Sequence, residues 1–225
     1  MPSSGNDANT KLLLHCDGTN GSTSFPDVSS NAKTVAVNGN AQVSTAQQKF
    51  GTGAYLGDGG SDWLTVTNST DFNFGTGDFT LDFWVRFISV GNSYFLTRGS
   101  ANTCDAVLNA GSFVFYIASV AVVTQAWAPS TATWYHVAVV RNGTNCFVFI
   151  NGTQLGSTGT SSASIGTPGA NPDYSIGALF NGALSLNGYM DEIRISNIAR
   201  WTTAFTPETT PYGQASAGLN QAIFL

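Results

Sequence analysis

Two Asn-Gly pairs, Asn142-Gly143 and Asn151-Gly152, constrain the fold of this chain more than any other feature. Both lie in the stretch WYHVAVVRNGTNCFVFINGTQLG, residues 134–156, and each follows a run of apolar residues. Asn-Gly dipeptides accept the positive φ angles that a tight type I′ turn requires at its two central positions. The stretch therefore predicts three consecutive antiparallel strands in a meander.

Alternation of apolar and polar residues predicts further strands. In FTLDFWVRF, residues 79–87, the odd positions are all apolar, whereas Asp82, Trp84 and Arg86 share the opposite face with Thr80. One face of this strand should be buried and the other partly wet. Comparable runs predict strands at residues 11–16, 34–37, 54–56, 63–67, 112–123, 174–176 and 189–196, with one weak helical candidate near residues 196–201. About ten short strands with turns between them are typical of an all-β, two-sheet antiparallel jelly-roll sandwich.

Charge and apolar run lengths exclude several classes of protein. The chain carries only 8 Lys and Arg residues, without a cluster, and its net charge is −5, which argues against binding to nucleic acid. No apolar run approaches the roughly 18 residues of a membrane span, so membrane insertion is not expected. Three widely spaced cysteines suit buried thiols better than a disulfide framework, although a single disulfide stays open.

The chain divides into three parts by its pattern. Residues 1–10 lack the basic start and apolar core of a signal peptide, and we expect a flexible N-terminal arm. The strand pattern covers residues 11–212 and predicts one domain. Residues 213–225 form a tail with an apolar end, which we expect to dock on its own domain or on a partner.

The order of several segments resembles a known family. The segments LLLHCDGTNGSTSFPD, KFGTGAYLGDGGSDWLTV, GTGDFTLDFWVRF, WYHVAVVRNGT and NGYMDEIRIS follow one another as in laminin-G-like domains of the type 3 group, which have the concanavalin A-like jelly-roll fold. Such domains are common in bacteriophage structural proteins and in extracellular bacterial proteins. The resemblance implies one concave and one convex antiparallel sheet, often with a calcium ion at the rim.

The same resemblance implies a structural Ca²⁺ that joins the first strand to the last. It places Asp17 and Asp191 at those two ends, and a carbonyl group near Gly39 could complete the set of oxygen ligands. Alternation predicts that Asp191 and Glu192 point to opposite faces, so that Glu192 pairs with an arginine or meets solvent. The alternative is that both are ordinary carboxylates at the edge of the sheet.

Aromatic and cationic residues suggest a carbohydrate-binding surface, because sugars stack their C–H faces on aromatic rings while polar groups bind the hydroxyls. Trp84 and Arg86 share a strand face, and Trp134 is expected in the same sheet. Tyr94, Arg98 and Trp127 are expected at loops or strand ends, and all six residues are candidate ligand contacts. The alternative for each aromatic residue is packing within the sandwich.

An enzymatic role is not expected. The chain has only two glutamates, Glu192 and Glu208, and lacks the Glu-x-Asp-x-x-Glu string of glycoside hydrolases on this fold. His136 is expected to be packed rather than catalytic.

The sequence and the resemblance together favour a non-enzymatic structural protein of a virion, either a capsid decoration or a tail-fibre component. Its partners would be glycans or other virion subunits, and we expect a homo-oligomer at the virion surface. The alternatives are a secreted, extracellular bacterial lectin module and, more weakly, a polysaccharide hydrolase or lyase.

Overall fold

A computed structural model describes residues 5–99, 103–166 and 173–213 as a β-sandwich. Its strands are β1 (Thr10–Leu14), β2 (Val35–Asn38), β3 (Gln42–Ser44), β4 (Ala54–Asp58), β5 (Trp63–Val66), β6 (Phe79–Phe87), β7 (Ser93–Arg98), β8 (Cys104–Asn109), β9 (Ser112–Ile117), β10 (Val120–Ala126), β11 (Trp134–Asn142), β12 (Asn145–Ile150), β13 (Thr153–Gln154), β14 (Gly159–Thr160), β15 (Tyr174–Ile176) and β16 (Asn187–Ser196). Within the described ranges, the one helical segment is a 3-10 turn at Thr70–Phe72. No helix in this part of the chain has the length and apolar character needed to cross a membrane.

The strands form two antiparallel sheets. The large sheet has the order β13-β12-β11-β6-β16-β4-β3, with β1 also paired to β16 and β14 to β12. The small sheet has the order β10-β9-β8-β7-β15-β5-β2. Neighbours that are distant in sequence, such as β6 and β16, lie side by side, as a jelly roll requires. The predicted fold is confirmed.

The core lies between the two sheets and is rich in aromatic rings. The odd positions of β6 all face it, as the alternation predicted. Phe83, Phe87 and Phe95 pack against one another, and Trp127 contacts Phe87 and Phe113 with ring centres 5.9 and 5.8 Å apart. Rings of this size dominate the burial energy of a sandwich. Cys16, Cys104 and Cys146 are buried and unpaired, as predicted.

Sequence patterns missed two central strands and one turn. The strands β7 and β8 show no clear alternation, because the side chains of both faces are buried. Residues 112–123, predicted as one strand, are two strands joined by Ala118 and Ser119, which both have positive φ. That turn lacks glycine or asparagine, so its sequence gives no turn signal. The predicted helix near residues 196–201 does not form.

The two described ends of the chain meet on the large sheet. Asn6 donates a hydrogen bond to the carbonyl of Val28, and Asp7 forms an ion pair with Arg200. Within the predicted arm, residues 6 and 7 therefore contact the rest of the domain, whereas residues 1–4 lie outside the described ranges. Residues 214–225, which hold most of the predicted tail, lie outside them too.

Candidate functional site

The face of the large sheet that turns away from the small sheet, here called the outer face, is partly covered by residues 197–213. We call this segment the strap. Trp201 and Phe205 of the strap stack on each other with ring centres 4.0 Å apart. They cover a second apolar cluster on the outer face, formed by Ala138, Val140, Phe147 and Phe149. The strap thereby covers the part of the outer face that β11 and β12 form.

A buried ion pair lies under the strap. Arg194 donates two hydrogen bonds to the carboxylate of Asp82, at 3.0 and 2.9 Å, and both side chains are fully buried. The ring of Tyr212 stacks on the Arg194 guanidinium at 4.0 Å, and its hydroxyl lies 2.9 Å from Nε2 of His136. The strap thereby separates this ion pair from water, although the alternation in β6 predicted that this strand face is partly exposed to solvent.

A β-bulge between Asp191 and Arg194 changes the direction of the side chains on β16. Glu192 has a φ of +49°, and both Asp191 and Arg194 pair with residues of β6 that face outward. The carboxylate of Glu192 contacts Nδ1 of His15 at 2.7 Å and accepts a hydrogen bond from the backbone N–H of Tyr212. The prediction that Asp191 and Glu192 point to opposite faces, with Glu192 paired to an arginine or solvated, is wrong, because the bulge interrupts the alternation.

The titratable groups under the strap have structural roles. Burial would raise the pKa of Asp82, but the charge of Arg194 and its two hydrogen bonds, with Nε2 of His136 3.6 Å from the carboxylate, hold that pKa well below its usual range. Burial lowers the pKa of His136, so this side chain is neutral near pH 7. Both side chains are separated from solvent, with Asp82 at 0% and His136 at 1% exposure.

The two carboxylates of the predicted calcium site bind one loop, residues 49–53. Asp191 accepts hydrogen bonds from the backbone N–H groups of Lys49 and Phe50, at 2.7 and 3.0 Å, and from that of Glu192 at 2.8 Å. Asp17 accepts hydrogen bonds from the backbone N–H and the hydroxyl of Thr52. The first and last described strands, β1 and β16, pair with each other, and the two carboxylates hold the same loop.

These groups do not fit a Ca²⁺ ion. Both oxygens of Asp191 already accept backbone N–H donors, and Gly39 lies beside Asp62, where Asn40 donates to the Asp62 carboxylate at 2.6 Å. Calcium needs six or more oxygen ligands that converge on one point. Among the described residues, no group of three Asp, Glu, His or Cys side chains is arranged to hold a metal. Calcium binding stays a prediction, and the N–H donors at Asp191 argue against it.

Asp191→Asn should lower the free energy of unfolding by about 1–3 kcal/mol, because an amide cannot accept all three N–H groups and turns its own donors towards one of them. EDTA should leave the melting temperature of the wild-type protein unchanged. Thermal melts with and without EDTA measure both effects. A lower melting temperature in EDTA that Asp191→Asn abolishes would instead establish a metal at this edge.

The six predicted ligand contacts do not form one surface. Trp127 lies in the core between the sheets. Arg98 is buried in the small sheet, where it donates hydrogen bonds to the carbonyl of Phe72 and the side chain of Asn73. Tyr94 is the second residue of the same strand and Arg98 is its last, so both lie at strand ends as the sequence indicated, but both side chains are buried.

The other three predicted contacts, Trp84, Arg86 and Trp134, do share the outer face. Arg86 pairs with Trp134 on β11 and with Tyr189 on β16, and the latter pairs in turn with Leu56 on β4. We call Trp134, Arg86, Tyr189 and Leu56 the open row. Trp134, Arg86 and Leu56 are half-buried, whereas Tyr189 between them is buried, with 8% of its surface exposed. Tyr189 and Leu56 were missed, since only the strand register reveals them.

Trp84 precedes Arg86 by two residues on β6, and the side chains of Lys49 and Phe50 cover its ring. The ammonium group of Lys49 lies 3.9 Å from the centre of the Trp84 ring, and the Phe50 ring meets that ring edge-on at 5.9 Å. Trp84 is therefore buried by the loop that Asp191 holds in place. Its indole N–H has no hydrogen-bond partner among the described residues.

Solved structures with the same fold include the binding domains of toxins. The binding domain of Paraclostridial Mosquitocidal Protein 1 matches with a TM-score of 0.66 and 16% identity over 85% of this chain and 49% of that one. The structure titled "Cell entry of botulinum neurotoxin type C is dependent upon interaction with two ganglioside molecules" matches with a TM-score of 0.61 and 15% identity, over 85% and 48%. The binding domain of botulinum neurotoxin DC in complex with rat synaptotagmin II gives 0.60 and 16%, over 85% and 49%. At this identity the likeness establishes the fold.

The chain spans about half the length of these structures. A comparison with curated protein sequences gave no match. The model of the laminin G type 3 family, within the concanavalin A-like lectin/glucanases superfamily, matches residues 58–203, which is more than half of the 225 residues. The chain therefore belongs to the laminin G type 3 family of the concanavalin A-like superfamily.

Proposed function

We propose that this chain is a non-enzymatic binding domain that recognises glycans through the open row. The observation that carries this proposal is the position of Trp134, Arg86 and Tyr189 on three adjacent strands, beside the area that the strap covers. Neighbouring strands lie about 4.8 Å apart, so the side chains form a continuous strip across the sheet.

The chemistry of the open row suits a sugar. Aromatic side chains offer flat apolar surfaces to the C–H faces of a pyranose ring, and a few polar groups beside them fix its hydroxyls. Trp134 supplies a half-buried ring, and the guanidinium of Arg86 lies over the ring of Tyr189 at 5.8 Å. The next residue along this line is Gln42 on β3, whose half-buried amide can both donate and accept hydrogen bonds.

The non-enzymatic part of the proposal has two supports. The paired titratable groups on the outer face, Asp82 with Arg194 and Glu192 with His15, lie under the strap or bind its backbone. Two of the structures with the same fold are named as binding domains, and gangliosides and synaptotagmin II are named as partners of botulinum neurotoxins among them.

A second binding mode, to a neighbouring protein subunit, is favoured by an apolar rim at one end of the sandwich. Ile88 and Val90 in the β6–β7 loop and Phe180 and Leu184 in the β15–β16 loop are between 38% and 47% exposed. The two loops are joined by a hydrogen bond from the backbone N–H of Ile88 to the carbonyl of Asn187. Clustered exposed apolar side chains often mark protein interfaces. This rim supports assembly with virion subunits or with further copies of the chain.

The proposed location is the virion surface, as a capsid decoration or tail-fibre component, because the family resemblance includes many phage structural proteins. Mass spectrometry of purified particles should detect the chain at a fixed ratio to the capsid protein. Detection only in the culture medium would favour the alternative, an extracellular lectin module.

Glycan-array binding should weaken at least about 10-fold in Trp134→Ala, because a flat ring that anchors a ligand is lost. Trp63→Ala is the matched control, since Trp63 is also half-buried on a strand but belongs to the small sheet. Melting temperatures of both variants confirm that they fold. Equal losses in the two variants, or wild-type protein that binds no glycan of the array, would contradict a glycan site at the open row.

A further inference from the structure

The arginines of this chain differ sharply in their surroundings, and one of them lies in the open row. Four of the five, Arg98, Arg141, Arg194 and Arg200, are at most 3% exposed, and each donates hydrogen bonds to carbonyl or side-chain oxygens. The charges of these four arginines are therefore used in contacts within the folded domain. Arg86 is half-buried instead, and within the described residues no hydrogen bond or ion pair is formed by its guanidinium.

The surroundings of Arg86 hold the guanidinium in place without neutralising it. Trp134 lies directly opposite on one neighbouring strand and Tyr189 on the other, with the Tyr189 ring centre 5.8 Å from the guanidinium carbon. Aromatic faces stabilise a cation and restrict its motion but carry no formal charge. A guanidinium in such a place keeps its planar set of N–H donors available, which matches the two oxygens of a carboxylate or a sulfate.

A second cation lies close by on the same face. The ammonium of Lys49 contacts the rings of Trp84 and Phe50 at 3.9 and 5.4 Å, with no carboxylate in ion-pair contact among the described residues. Trp84 and Arg86 are two residues apart on one strand, which is a distance of about 7 Å. Two cations held on aromatic rings thus lie on one face of a protein whose net charge is −5, and Asp191, the carboxylate that acts on Lys49, is fully buried.

We infer that the open row selects acidic glycans, with Arg86 binding a carboxylate or sulfate group of the sugar and Lys49 adding to the local positive potential. This inference rests on the proposed glycan function and names its ligand class. Neutral glycans would leave the Arg86 guanidinium without a partner and should bind more weakly. Added salt should weaken binding of the acidic glycans, since exposed charges are screened.

The test is an array of paired glycans, in which each uronic acid or sulfated sugar is printed beside its carboxyl-reduced or desulfated counterpart. We expect each acidic member to bind at least about 10-fold more tightly than its neutral partner, since hydrogen bonds to charged groups are the stronger ones. Arg86→Gln should lose about 10- to 100-fold on acidic glycans and little on neutral ones. Arg86→Lys should retain part of the affinity, because it keeps the charge but loses the planar fork.

Lys33→Gln is the control for a general change of net charge, since Lys33 is paired with Asp71 away from the open row. Equal binding of acidic and neutral partners, unaffected by Arg86→Gln but abolished by Trp134→Ala, would overturn this inference and leave the glycan function standing. Wild-type protein that binds neither member of any pair would overturn both.

Discussion

Arg194→Met should lower the free energy of unfolding by about 3–5 kcal/mol at pH 7, because it leaves the buried carboxylate of Asp82 without its counter-charge. Both hydrogen bonds to Asp82 come from Arg194 at 3.0 and 2.9 Å, and neither side chain reaches solvent. Methionine fills a similar volume, so packing against Tyr212 changes little and most of the effect is electrostatic. Denaturant unfolding of the variant and the wild type measures it.

The pH dependence of this loss identifies its cause. In the wild type, Arg194 keeps the pKa of Asp82 below that of an unfolded chain, about 3.9. The resulting stability is present above that value and is lost as the pH falls through the folded pKa. In Arg194→Met, burial should raise the pKa of Asp82 above 3.9. The folded variant then binds a proton more readily than the unfolded one, so its stability falls as the pH rises.

The difference between the variant and the wild type should therefore be smaller at pH 4.5 than at pH 7. Arg200→Met is the matched control, because Arg200 lies six residues further along and pairs with Asp7, whose side chain is 26% exposed. Water can solvate that carboxylate when the arginine is removed, and we expect a loss of about 1–2 kcal/mol with little pH dependence. Equal, pH-independent losses in both variants would show that Asp82 is not an isolated charge in Arg194→Met.

The sandwich could be predicted from the sequence because its strands carry local signals. The alternation in Phe79–Phe87 gave both the strand and its core face, and the Asn-Gly pairs gave the meander of β11, β12 and β13. The strands β7 and β8 could not be predicted in this way. Neighbouring strands and loops bury both of their faces, which removes the alternation that marks a half-exposed strand.

The solvent exposure of the outer face could not be predicted, because it depends on contacts between residues far apart in the chain. Asp82 and Trp84 form a polar and aromatic mixture that is typical of a wet face. Asp82 is nevertheless buried by Arg194, 112 residues later, and by the strap that follows it. Arg86, two residues beyond Trp84, escapes this cover. Alternation assigns a residue to a face, but only tertiary contacts decide whether that face meets water.

The bulge on β16 could not be predicted from the sequence either. Its Glu192 adopts a positive φ, which is uncommon for a residue with a long side chain, and nothing in the local sequence marks it. The bulge sends Asp191 to the loop at residues 49–53 and Glu192 to His15 and Tyr212. Two adjacent carboxylates that suggested a metal in the sequence thus serve as anchors for a loop and for the strap.

Gly152→Ala should destabilise the protein far more than Gly143→Ala, although both glycines lie in tight turns of the same meander. Gly143 is the first central residue of the turn between Asn142 and Asn145, and Gly152 is the second central residue of the turn between Ile150 and Thr153. Both have positive φ, +79° at Gly152 and +57° at Gly143, so alanine costs about 1–2 kcal/mol at either position. A Cβ at Gly143 would meet nothing within 4 Å, whereas one at Gly152 would lie 1.8 Å from the carbonyl oxygen of Phe205. The strap would have to move.

That movement determines the size and the signature of the effect. The backbone N–H of Phe205 donates to the Gly152 carbonyl at 2.9 Å, and Phe205 stacks on Trp201 above the second apolar cluster. Displacing this contact exposes apolar area in addition to the φ strain, and we expect a total loss of about 3–5 kcal/mol in the free energy of unfolding. Tryptophan fluorescence of folded Gly152→Ala should shift to longer wavelength as Trp201 meets water, while Gly143→Ala keeps the wild-type spectrum. Equal losses with unchanged spectra would mean that the strap does not rest on this turn, and the outer face would then be open beyond the row at Trp134, Arg86 and Tyr189.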